Sequence, residues 1–240
     1  MSGVPRQLTE ANVLDVWENG LAGPPAARSL LFASMAAPGG SNVADLPLSA
    51  LNSLLLELRR GAFGDALPCT ADCPECGESL DVTVAAAELL PPGGGAAVAA
   101  TATVKSYGRT VTYRALTGRD VRSVDPATPR ARQALLRRCV LRVDPPADDL
   151  PDEVLEDVAR RLADDDPGAD AVVSLNCPQC EHSWDAALDL AEHLWTDVSE
   201  YARRLLHEVH ALARAYGWTE ADVLAISPTR RQFYLEASTG

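Results

Sequence analysis

Six cysteines in a chain of 240 residues carry its clearest chemistry. Four of them form two short elements, Cys73-Pro74-Glu75-Cys76-Gly77 and Cys177-Pro178-Gln179-Cys180-Glu181. Two residues between cysteines let both thiolates reach one metal ion while backbone N–H groups point at the sulfurs, as in a zinc knuckle. Zinc takes four such ligands in a tetrahedron, and each element supplies two. The economical reading is a single four-cysteine zinc ribbon made by Cys73, Cys76, Cys177 and Cys180, with about one Zn2+ per chain. Thiolates in all four positions leave none for substrate, so such a site is structural and not catalytic.

The spacing is unusual, because one hundred residues separate Cys76 from Cys177, far more than zinc sites commonly span. The ribbon would carry residues 77–176 as an insertion. Loop-closure entropy grows only logarithmically with length, so the insertion is tolerable and the site would stitch the two halves of the chain together. Other readings stay open. A redox role for the pairs would need a strand–CxxC–helix context, which the sequence lacks. The pairs could also be chance or degenerate remnants. Cys69 or His182 could stand in for one ligand. Cys139 shares a helix face with Leu135 and Leu136 and reads as a small buried hydrophobe.

No other constellation suggests catalysis. His207-Glu208-Val209-His210 is one residue short of the metalloprotease pattern, with Ala211 where the second histidine would stand. Both histidines then read as solvated helix residues. No G-x-S-x-G, Walker loop or dinucleotide fingerprint occurs. The acidic stretch lacks the spacing of a calcium loop.

The elements that must position the cysteines follow from periodicity. Helices are expected over residues 9–20, capped by Thr9 and stopped by Gly20, over 25–37, and over 48–60, with Gly61 and Gly64 breaking the last. Leu80 to Val84 alternates like a strand beside the first cysteine pair. A flexible break at Pro91–Gly95 precedes two alternating runs, Val98–Val104 and Thr110–Leu116, joined as a hairpin through Tyr107-Gly108. Thr117 with Asp120 forms a capping box. A helix from Thr128-Pro129 carries Leu135, Leu136, Cys139 and Val140, and another over 151–163 turns its acidic side to water. Strands at Val172–Leu175 and Trp184–Leu188 flank the second pair. A long helix from Leu190 ends at Gly217, and two short helices follow from Thr219 and Ser227-Pro228. The expected fold is α+β. Helical parts at 1–66 and 191–240 enclose the two halves of the ribbon, 67–90 and 171–190. An inserted hairpin and acidic helical region, 91–170, lies between those halves.

Composition is that of a globular protein, 47% hydrophobic and 23% charged, which excludes disordered and collagen-like chains. The net charge of −13 is uneven: Asp144 to Asp170 holds 11 acidic residues against Arg160 and Arg161, or −9. Such a surface does not attract nucleic acid or anionic lipid in general. No stretch is apolar enough to span a bilayer and the start lacks a secretory pattern, so a cytoplasmic protein with reduced cysteines is expected.

Two readings compete for the C-terminal helices. As a helix-turn-helix they would bind DNA, but residues 191–240 hold five arginines against seven acids. As a protein-docking hairpin, Trp218, Phe233 and Tyr234 would be aromatic anchors and Arg230 and Arg231 bidentate donors. On that reading, replacing Trp218 or Arg231 should weaken a partner contact and leave the thermal midpoint nearly unchanged.

The segment Tyr201–His210, then Ala215-Tyr216-Gly217-Trp218-Thr219 through Ser227-Pro228, then Arg230-Arg231 and Tyr234-Leu235-Glu236, resembles one family. It is the baseplate-hub assembly chaperone family of T-even-like phages and related contractile injection systems. The resemblance extends through Cys177–Cys180, Trp184, Leu194-Trp195, an Arg138-Cys139-Val140-Leu141 helix and Cys73–Gly77, covering most of the chain from about residue 48. Glu181 departs from the glycine common at that place in the family. The resemblance implies a non-enzymatic protein that helps a baseplate hub and spike assemble. Its partners would be hub, spike or wedge subunits, and it could be incorporated into a phage-like particle. The alternative from another class is a zinc-ribbon nucleic-acid-binding regulator.

Overall fold

A computed structural model describes residues 8–38, 41–89, 101–147 and 149–238. The expected break at Pro91–Gly95 and the start of the run from Val98 lie outside them.

The N-terminal helices are α1 (Glu10–Ala22), α2 (Arg28–Ala36, after a 3₁₀ turn at Pro25–Ala27) and α3 (Leu48–Phe63). Thr9 begins α1, its N–H donating to Asn12 Oδ1 at 2.7 Å. Gly20 does not stop this helix, which runs two residues further. A Cβ at Gly20 would lie 2.2 Å from the Trp195 ring, so the glycine permits close packing. Gly61 likewise sits within α3, which ends at Gly64.

Two antiparallel hairpins carry the cysteine pairs. The first is β1 (Ala66–Asp72) with β2 (Ser79–Ala85), and the second is β6 (Val172–Asn176) with β7 (Ser183–Ala187). A short helix, α4 (Ala86–Leu89), follows the first hairpin. Between the hairpins lies a module with its own sheet, in the order β3 (Ala102–Ser106), β4 (Arg109–Tyr113), β5 (Val140–Asp144). Helices α5 (Gly118–Arg122), α6 (Ala131–Cys139) and α7 (Asp152–Asp165) complete it. Here the sequence reading needs correction. Val140 and Leu141 leave the helix and form β5, with Val143 opposite Val111 and Val140 opposite Tyr113. The β4 strand also ends at Tyr113, short of Leu116.

Val104, Val111, Tyr113, Val154, Leu155 and Val158 form the core of this module. Its acidic helix is more than a solvated face: Ser106 Oγ donates to Asp157 at 2.6 Å and Tyr113 Oη to Asp165 at 2.5 Å. Hydrogen bonds pin the module to α3. Leu48 N–H donates to Leu116 O at 3.2 Å, and Asn52 Nδ2 donates to Gly168 O and Ala169 O at 3.0 and 2.9 Å. The capping-box acid Asp120 is buried and accepts both guanidinium nitrogens of Arg114 at 2.6 and 2.9 Å. Burial pushes this carboxyl up, but Arg114 and the Thr117 hydroxyl and N–H outweigh it and hold it at about 2.

The long α8 (Leu190–Tyr216) joins the remaining parts. Its first half buries Leu194, Val198, Ala202 and Leu205 against Val13 of α1, Phe32 of α2 and Leu55 of α3, forming the main core. Its second half packs Val209 and Leu212 against Val223 in a smaller cluster with α9 (Glu220–Ala225) and α10 (Pro228–Ser238). Among the described residues no helix is long and apolar enough to cross a membrane.

Candidate metal centre

Each cysteine pair sits in the tight connection of its hairpin, and the two connections follow the same backbone plan. In the first, Cys73 N–H donates to Glu78 O at 2.8 Å and Gly77 N–H to Cys73 O at 2.9 Å. In the second, Cys177 N–H donates to His182 O at 2.8 Å and Glu181 N–H to Cys177 O at 2.9 Å. Both turns close on a left-handed residue, Gly77 at φ 74° and Glu181 at φ 59°. Pro74 and Pro178 occupy positions where no backbone donor is needed.

The hairpins bring all four sulfurs together. Cys73 Sγ lies 3.7 Å from Cys180 Sγ and Cys76 Sγ 3.6 Å from Cys177 Sγ, and the whole set falls within 4.8 Å. These separations are far beyond a disulfide bond of about 2.05 Å. They suit a tetrahedron of metal–thiolate bonds near 2.3 Å, whose edges measure about 3.8 Å. Cys73 and Cys177 are buried, and Cys76 and Cys180 face solvent.

Protonation of the clustered thiols reflects their crowding. Burial raises the Cys73 thiol, yet the N–H groups of Cys76 and Glu75 outweigh it and bring it to about 7. The Glu78 backbone favours the Cys76 thiolate, but the nearby sulfurs of Cys180, Cys177 and Cys73, together with burial, push it up to about 12. Four thiolates this close repel one another, and a bound cation removes that repulsion. The group can therefore hold a metal ion, with every ligand supplied by the protein.

The other candidates lie elsewhere. Cys69 is on β1 and packs at the edge of the main core, with its Sγ 3.6 Å from Leu67 O. His182 stacks beside Trp184, ring centroids 6.1 Å apart. Neither joins the four-sulfur group. Cys139 is fully buried, and burial raises its thiol to about 11, in keeping with an inert packing residue. His207 and His210 are both exposed on α8.

The expected docking residues divide. Trp218 is half-buried, stacked on Tyr216 at 5.0 Å and edge-on to Tyr234 at 4.9 Å. Phe233 is 65% exposed, and Arg230 faces water. Arg231 does not belong to that surface, being only 2% exposed. Its guanidinium donates to Glu10 at 2.6 and 2.8 Å, to Glu208 at 2.7 Å and to Ile226 O at 3.3 Å. Arg231 thus clamps α10 to α1 and α8. Its replacement is therefore expected to lower stability and not to leave it unchanged, since removing one member of a buried pair strands the other charges. A second clamp missed in the sequence joins Arg59 of α3 to Asp197 of α8 at 3.1 Å.

The fold and site define an α+β protein whose sequence-distant halves meet at a four-cysteine group able to hold a metal ion. The chain matches no protein-family model, no curated protein and no solved structure.

Proposed function

We propose that the four cysteines bind one structural zinc ion. On this reading the chain is a non-enzymatic structural or assembly protein of the baseplate hub of a contractile phage tail or injection system. The convergence of four sulfurs from two hairpins a hundred residues apart carries the first part, because a ligand set with no open position braces a fold and offers no place for substrate. The second part is supported by the C-terminal sequence resemblance, by the exposed Phe233 edge-on to Tyr234 of the Tyr216–Trp218–Tyr234 cluster, and by the exposed Arg230, which suit protein contact.

Two measurements on the full chain test the two parts separately. Elemental analysis should find about one zinc per chain, and two metals or none would remove the shared site. A tagged pull-down from the native host, read by mass spectrometry, should recover hub, spike or wedge subunits. Recovery of polymerase subunits or nucleic acid instead would favour a zinc-ribbon regulator, as would a salt-sensitive gel shift.

A further inference from the structure

Where the inserted module meets α3, Leu48, Leu116, Leu135, Leu136 and Leu162 line a hollow of about 220 Å³. Three charged residues border it. Arg132 is paired with Glu156. Asp170 is exposed. Asp166 is only 4% exposed, and its Oδ2 receives one long hydrogen bond, from Ser49 N–H at 3.4 Å. Its Oδ1 is buried with no hydrogen-bond partner among the described residues. A buried carboxylate oxygen without a donor is costly, and native structures seldom leave one so. The border of the hollow therefore combines five leucines with two carboxylates, Asp170 exposed and Asp166 buried and short of donors.

We propose that this hollow docks a segment of a partner protein that inserts a leucine-sized side chain flanked by arginine or lysine. The leucines would take the apolar group out of water, and the exposed Asp170 would receive the cation, with Asp166 adding negative charge behind it. Charge selects this occupant. The stretch Asp144–Asp170, which supplies α7 and both aspartates, carries −9, so it attracts basic segments and repels phosphate backbones and anionic lipid. A second copy of this chain is itself acidic, with a net charge of −13. The proposal is independent of the zinc and baseplate readings, since it uses neither the cysteines nor the C-terminal helices.

The test is fluorescence anisotropy on the full metal-loaded chain with a labelled amphipathic peptide of about 12 residues, leucines at i, i+3, i+4 and i+7 and arginines on its flanks. A control peptide carries glutamate in place of arginine. The basic peptide should bind at least about tenfold more tightly than the acidic one, and added salt should narrow the gap. Ala163→Trp, from an exposed position of α7 that borders the hollow, should weaken the basic peptide by about tenfold with the thermal midpoint unchanged. Asp170→Lys should do the same. Equal binding of the two peptides, no binding of the basic one, or binding indifferent to Ala163→Trp would each overturn the proposal. A concentration-dependent dimer abolished by Ala163→Trp would assign the hollow to a second copy instead.

Discussion

The first cysteine hairpin rests on Leu67 and Val84, which face each other across β1 and β2 and are 1% and 7% exposed within the main core. The second hairpin meets the same core only through partly buried side chains, Val173 with Ala171 and Leu188 at its ends. Val173, Leu175, Trp184 and Ala186 are half-buried, and every second residue of β6 and β7 faces water. Yet both hairpins close with the same backbone hydrogen bonds and deliver one buried and one exposed cysteine to the same cluster. Two unequal foundations thus support equal halves of a site. A two-stranded hairpin with little buried area is marginal in water, so on the zinc reading the second would draw from the metal what the first obtains from its core.

Removing the metal should expose this difference most strongly. Chelation is expected to abolish hydrogen-exchange protection at β6 and β7 while the amides of Leu67 and Val84 stay protected. On the zinc reading Cys73→Ser and Cys177→Ser should each eliminate metal binding, because the four-sulfur group draws two cysteines from each hairpin. Equal loss of protection in both hairpins would break the comparison and make them one cooperative unit.

Core truncation gives the converse, with a smaller effect. In the metal-loaded protein Leu67→Ala should cost about 3 kcal/mol in urea denaturation, the usual range for a fully buried leucine. Val173→Ala should cost about 1 kcal/mol or less, since the side chain is already partly solvated. Comparable losses would show that the second hairpin shares the core more fully than its exposure indicates.

What the sequence made legible was decided by neighbours along the chain. The cysteine pairs, the Tyr107-Gly108 hairpin and the span of α8 rest on spacing, turn residues and periodicity, and the structure has them where expected. Elements settled by distant partners were not legible. Strand β1 holds Pro68 and Cys69, which blur its alternation, and only pairing with β2 defines it. Val140 and Leu141 continue the apolar face of α6, so nothing local signals their departure into β5; the partner strand β4 decides it. Gly20 reads as a helix stop until Trp195 packs against it. Arg231 lies one residue from the exposed Arg230 and matches it in type, while its partner Glu10 stands 221 residues away. No local pattern separates the two arginines.

The smallest expected effect concerns the left-handed position of the two turns, glycine in one and glutamate in the other. Gly77 and Glu181 hold the same left-handed place, and a side chain there is disfavoured by about 1 kcal/mol. A Cβ at Gly77 would meet nothing within 4 Å, so Gly77→Ala tests the backbone alone and should lower stability by about 1 kcal/mol. Glu181→Gly should raise it by about 0.5 kcal/mol, the relief being partly offset by the greater freedom of glycine in the unfolded chain. Opposite signs in thermal unfolding of the metal-loaded protein would mean that the second turn carries strain the first avoids. A neutral Glu181→Gly would instead mean that the Glu181 N–H to Cys177 O bond and the adjoining ligands already hold the turn without measurable strain.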